Sequence, residues 1–118
     1  MWWKGSTLAL AEAGERRSGT HARVTKLEGP PDKIDQATRH VREHLLPQLQ
    51  QQDGFKGFIS LGDRQSGKIL GVVLWESEEA LRTSEEMASR LRGGAAEATG
   101  ATVAGVDRYE VTIFEVSS

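Results

Sequence analysis

The segment Ile69–Trp75, ILGVVLW, is apolar on both sides of a β pleat. Successive side chains of a strand point to opposite faces, so a run of this kind needs cover both above and below its sheet. Its surroundings narrow the choice further. From Gly54 to Arg92 the chain reads GFKGFISL, a polar turn, KILGVVLW and then, straight after Glu76, a long amphipathic helix. Two strands joined as a hairpin, with the second running directly into a helix, fit few folds.

The remaining elements follow from periodicity. Ala22 to Glu28 alternates, with Ala22 and Val24 on one side and Thr25 and Leu27 on the other, and Gly29-Pro30-Pro31 ends this first strand. Asp32 is expected to cap a helix whose stripe is Ile34, Ala37, Val41, Leu45 and Leu49, reaching about Gln51. Pro47 lies inside it and lacks an N–H, which predicts a bend or a new turn starting at Leu46. Asp53-Gly54 is the stop. Ser77 is placed to cap the second helix, with Glu78 and Glu79 in its first turn and Leu81, Ser84, Ala88 and Leu91, beside Met87, as its stripe. Gly93-Gly94 predicts an end or weakening there, followed by a loose Ala/Gly/Thr-rich connection to Gly105 with one more turn at Ala95 to Ala98. Val106 to Val116 alternates as the last strand.

The order is β-α-β-β-α-β, an α+β chain with the ferredoxin-like plait: a four-stranded antiparallel sheet with two helices on one face. Two helices cover only one face of such a sheet, whereas Ile69–Trp75 asks for cover on both. A second copy of the same face is the economical answer, which predicts a homodimer through the sheet face.

A chain of 118 residues buries roughly two thirds of its unfolded surface, enough for a core of its own. Fifteen basic against seventeen acidic side chains leave no excess positive field for phosphates, so nucleic acid is not an expected partner. There is no cysteine, which excludes disulfides, thiolate nucleophiles and cysteine metal sites. No apolar run approaches the ~20 residues that cross a bilayer, and Leu8 to Ala11 is too short a core for a secretory signal, so no membrane partner and a cytoplasmic location are expected. Residues 1–20, with the charged, glycine-rich stretch EAGERRSGT, read as a flexible arm that carries Trp2 and Trp3; residues 21–118 read as the domain.

Two motif matches fail on context. Gly62-Asp63-Arg64-Gln65-Ser66-Gly67-Lys68 has the glycine and lysine spacing of a phosphate-binding loop, but Ile69 stands where a hydroxyl must hold magnesium and a strand follows where a helix is required. It reads as a hairpin loop. His40-Val41-Arg42-Glu43-His44 has the H-x-x-E-H spacing of a zinc helix, but a catalytic zinc needs a third protein ligand, and the pair reads as flanking the apolar stripe. No metal is expected.

Gly54-Phe55-Lys56-Gly57 and Val73-Leu74-Trp75-Glu76-Ser77-Glu78-Glu79-Ala80-Leu81 resemble the antibiotic biosynthesis monooxygenase-like domain of the dimeric α/β-barrel superfamily, across roughly residues 21 to 116. The resemblance implies a dimer whose two sheets meet as a barrel, with a ligand pocket in each subunit between sheet and helices. Members of that family oxidise polycyclic phenols with oxygen and neither metal nor flavin, and others degrade haem. The tryptophan that lines their pocket matches Trp75. The asparagine on strand one of the active members has no counterpart, since the chain contains no asparagine and about Ala22 stands at the matching place. The axial histidine of haem-degrading members is also absent, as Glu78 to Arg92 contains no histidine. Haem degradation is therefore not expected, and no cofactor is implied.

Two functions follow from this reading. The first is a cofactor-independent monooxygenase acting on an aromatic or quinone-like small molecule, with Trp75 shaping the pocket, Tyr109 and Arg108 as further ligand contacts, and His40 or His44 moving protons in place of the missing asparagine. The second is a non-catalytic dimeric small-molecule-binding or stress-associated module.

Overall fold

A computed structural model describes residues 19–117. Nearly all of the expected arm, with Trp2 and Trp3, lies outside them. The described chain forms β1 (His21–Glu28), a 3₁₀ turn (Pro31–Lys33), α1 (Ile34–His40), a π-helical turn (Val41–Leu45), α2 (Leu46–Gln50), β2 (Phe55–Gly62), β3 (Lys68–Trp75), α3 (Glu78–Thr83), α4 (Glu85–Thr99) and β4 (Thr102–Glu110). The strands make one antiparallel sheet in the order β2-β3-β1-β4, the ferredoxin-like plait.

Local chemistry sets the junctions. Gly54 has φ +85°, and a Cβ there would meet the Ala80 Cβ at 2.6 Å, so only glycine lets the turn before β2 pack against α3. The Glu76 amide donates to the Gly54 carbonyl at 2.7 Å, tying the end of β3 to that turn. The hydroxyl of Ser77 accepts from the Ala80 amide at 3.0 Å, the expected cap of α3. Gly67 has φ +83° and faces the Gly29 carbonyl at a distance no side chain tolerates. It belongs to the β2–β3 hairpin loop, where the carboxylate of Asp63 accepts from the Gln65 amide and the Ser66 hydroxyl.

Three boundaries differ from the sequence reading. Asp32 does not cap the first helix: it lies within the 3₁₀ turn, and Lys33 holds the cap position of α1 without a side-chain bond. Pro47 acts as the sequence predicts: it offers no N–H to residue 43, the turn Val41–Leu45 widens to π geometry, and a new helix, α2, starts at Leu46. Gly93 and Gly94 do not end the second helix, since α4 runs through them to Thr99. The break falls earlier, at Ser84, whose hydroxyl donates to the Leu81 carbonyl at 2.8 Å. The last strand accordingly starts at Thr102 and stops at Glu110, with one further bond from the Val111 amide to the Thr20 carbonyl at 2.9 Å just before β1 begins. Residues 112–117 continue without a strand partner among the described residues, leaving Ile113, Phe114 and Val116 exposed.

Register assigns the two faces. Phe55, Phe58, Ser60, Ile69, Gly71, Val73, Trp75, His21, Arg23, Thr25 and Leu27 point toward the helices. Ala22, Val24, Lys26, Ile59, Leu61, Leu70, Val72, Leu74 and Tyr109 point the other way. The core on the helix side centres on Leu49, Trp75 and Leu81, with Leu45, Phe55, Phe58, Val73, Met87 and Leu91 packed around them.

Candidate functional site

The helices do not fill the whole inner face. Between α1, the π turn, α4 and the sheet lies a cavity of about 410 Å³, bordered toward its mouth by Ile34, Thr38, Arg42, Gly62 and Arg64. A deeper chamber of about 80 Å³ adjoins it, bordered by Arg23, Leu45, Leu49, Leu91 and Arg92. Leu27, Val41, Phe58, Ser60, Ile69 and Ala95 line both, so the two form one cleft with an apolar middle and a polar end. The outer part has the size of a small-molecule site. The chamber has room for a head group of a few atoms rather than a ring, given ~30 Å³ for a single water.

Arg23 stands at that polar end. It is 1% exposed on a central strand, and such a residue is held only where its charge is met. One terminal nitrogen, Nη2, donates to the Leu81 carbonyl at 2.8 Å and to the Ser84 hydroxyl at 2.9 Å, and lies 3.0 Å from Glu85 Oε2. The break between α3 and α4 thus presents a carbonyl, a hydroxyl and a carboxylate to one guanidinium. Its Nε and Nη1 have no hydrogen-bond partner, and neither does the buried Nη1 of Arg92. Burial lowers the Arg23 pKa, Glu85 opposes this, and the neighbouring charges of Arg108 and Arg92 lower it further. The Glu85 carboxyl is held down at about 2, chiefly by hydrogen bonds from Arg108 and also by Arg23, against an opposing effect of burial.

Solved structures share this architecture. A monooxygenase from the gene ActVA-Orf6 of Streptomyces coelicolor, solved in complex with nanaomycin D, superposes with a TM-score of 0.64 over 91% of this chain and 99% of its own, at 17% identity. SnoaB, a cofactor-independent oxygenase from Streptomyces nogalater, gives 0.56 over 77% of this chain and 91% of its own, at 16% identity. This chain carries the antibiotic biosynthesis monooxygenase-like fold. In sequence, it is 41% identical over 92 residues to the uncharacterised protein Rv2558 of Mycobacterium tuberculosis, a match covering 78% of this chain. The chain spans only 39% of that relative's length. No protein-family model matches the chain.

On this monooxygenase-like fold the residues singled out from sequence lie in three places. Trp75 is fully buried and packs edge-on to Phe55 at a ring separation of 6.0 Å; it sits in the core beside the cleft and lines neither cavity, and its Nε1 has no partner. The rings of His40 and His44 lie 5.1 Å apart at a 40° tilt, at the start of the π turn, and line neither cavity; the His40 pKa is lowered by burial and by His44. No cluster of three His, Asp or Glu able to hold a metal ion occurs among the described residues. Arg108 and Tyr109 border a separate open groove with His21, Leu81 and Glu85, where Arg108 makes a two-pronged contact with Glu85 through Nε and Nη2.

Arg23, Arg92, Ser84 and Glu85 are the polar residues that the sequence reading missed. The available signal was a charged side chain in the alternation of β1, on the same face as Thr25 and Leu27. Its meaning depended on β1 being a central strand, flanked by β3 and β4. No helix among the described residues is long and apolar enough to cross a membrane.

Proposed function

We propose that this chain is a small-molecule-binding domain that works as a homodimer and holds an aromatic or quinone-like ligand in the cleft between sheet and helices. The cleft carries this reading: a cavity of about 410 Å³ with an apolar middle, running into a chamber that ends at a buried guanidinium. Close-packed interiors leave few voids larger than a water, so an opening of this size offers room for a ligand. The homodimer rests on the outer face, where Ile59, Leu61 and Tyr109 are 43%, 51% and 54% exposed on strands that otherwise build a core. A second copy laid on that face would give the double-sided cover that Ile69–Trp75 calls for.

Binding is tested by calorimetric titration of the chain with a hydroxynaphthoquinone. Saturable binding at one site per chain, weakened by Phe58→Trp, which fills the middle of the cleft, is the expected result. Saturable binding that Phe58→Trp leaves untouched would move the site elsewhere.

A second reading, oxygenation of that ligand without metal or flavin, is favoured by the fold shared with the two Streptomyces oxygenases. The substrate would supply its own electrons: one atom of dioxygen enters the ring as a carbonyl, and the other leaves as water with the two displaced hydrogens. Proton movement by His40 or His44 belongs to this reading, as do contacts to Trp75, Arg108 and Tyr109. Oxygen uptake with a hydroxylated anthrone checks it; uptake unchanged in the His40→Ala, His44→Ala double variant would remove the histidines from the reaction.

A further inference from the structure

We infer that the cleft takes its ligand as an anion, with an ionised oxygen of a planar apolar molecule, a carboxylate or an enolate, seated between Arg23 and Arg92. This rests on the cleft being the ligand site.

Four arginines border the two cavities, Arg23 and Arg92 in the chamber and Arg42 and Arg64 toward the mouth, and among the described residues no carboxylate borders either. Arg64 is paired with Asp35 at 2.8 Å, outside the lining. At the inner end, Glu85 must serve both Arg23 and Arg108, so a single carboxylate meets two guanidiniums, and the charge of Arg92 adds to theirs. That local excess of positive charge occurs in a chain whose formal net charge is −2. The donors are also free in number and place. Arg23 keeps Nε and Nη1, and Arg92 keeps Nη1, without partners in a buried setting. Leaving such donors unmet is costly, and an acceptor with negative charge satisfies both the hydrogen-bond and the charge requirement.

Fixed geometry makes Arg23 a built part of the site rather than a mobile surface cation. Its Nη2 is held from three sides by Leu81, Ser84 and Glu85, which leaves the other nitrogens of the same planar group to a ligand. The chamber's size suits the head group, while Phe58, Val41 and Ile69 in the wider part suit a ring.

The test uses two matched pairs: an acidic hydroxynaphthoquinone, ionised at neutral pH, against its O-methyl ether, and naphthoate against naphthamide. Affinities are read by calorimetry on the full chain. The anion of at least one pair is expected to bind about tenfold or more tighter than its neutral partner, the scale of a charge-assisted hydrogen bond. That preference should collapse in Arg92→Met and persist in Arg82→Met, where the lost cation is exposed and paired with Glu78. Preference in the first pair alone assigns an enolate, and preference in the second a carboxylate. Arg23→Met is the stronger variant if it folds, judged by circular dichroism, and should abolish the preference; Arg92→Met decides the matter if it does not. Equal affinity within both pairs overturns the anion assignment and leaves the binding site standing. Binding by none of the four probes overturns both.

Discussion

On the inner face of the sheet, Arg23, Phe58, Val73 and Trp75 lie beneath helices, and on the outer face Ile59, Leu61, Val72 and Tyr109 of the same strands carry no helix among the described residues. The covered face holds the polar irregularity, a buried guanidinium and a cleft. The face without helices is the more uniformly apolar, broken by the Lys26–Asp107 pair at 3.1 Å and by Glu28 and Lys68 at its end, while Ala22 and Leu74 at the opposite end are already buried within the chain. On the proposed reading, the exposed apolar face is the surface for assembly, and the polar groups set into the covered apolar face are the place for a ligand.

The sharpest way to break this contrast is at Trp75. If its indole is core rather than cleft wall, Trp75→Ala should destabilise the domain by about 3 to 5 kcal/mol in denaturant unfolding, as for other fully buried large side chains. A loss below ~1 kcal/mol would mean that the ring borders usable space.

Next in size is Glu85→Gln, which leaves Arg23 and Arg108 to share an uncharged amide. A cost of about 2 kcal/mol at neutral pH is expected, discounted because the carboxylate is partly exposed. Its pH dependence has a definite sign. The native carboxyl titrates at about 2 against an ordinary 4.5, so its contribution is fully present above 4.5 and is lost as pH falls toward 2. The variant should lack that part of the acid limb, leaving the difference between the two proteins to shrink across this window.

The sequence carried the architecture well because alternation and helical stripes are repeated signals. Ile34 to Leu49 and Leu81 to Leu91 turn inward as their spacing predicts, and β3 occupies Lys68–Trp75. Ends were less legible. Gly93 and Gly94 read as a stop, yet a Cβ at either would meet nothing within 4 Å, so they sit on an open helix surface where packing elsewhere sustains α4. The site was least legible, since Arg23 gains its meaning from the order β3-β1-β4 and from a helix break at Ser84, neither of which is written near residue 23.

Those glycines give the third prediction, which probes the roof of the inner face. Gly94→Ala should stabilise the chain by about 0.5 to 1 kcal/mol in thermal or denaturant unfolding, because it removes backbone entropy from the unfolded state without a clash. The outer face gives the smallest effect on folding and the largest on assembly. Leu61→Glu, half-exposed beyond the helices' reach, should change unfolding of the single chain by no more than ~0.5 kcal/mol while shifting the sedimenting species from dimer to monomer. A wild-type chain that sediments as a monomer would remove the assembly role from that face.

The central claim is that ligand and partner use opposite faces of one sheet. Amide chemical-shift mapping by NMR, during titration with a hydroxynaphthoquinone, addresses it most directly. The account predicts the largest shifts at Leu27, Phe58, Ser60, Ile69, Arg92 and Ala95, with Leu61, Val72 and Tyr109 nearly still. Shifts concentrated at Leu61, Val72 and Tyr109 would contradict it.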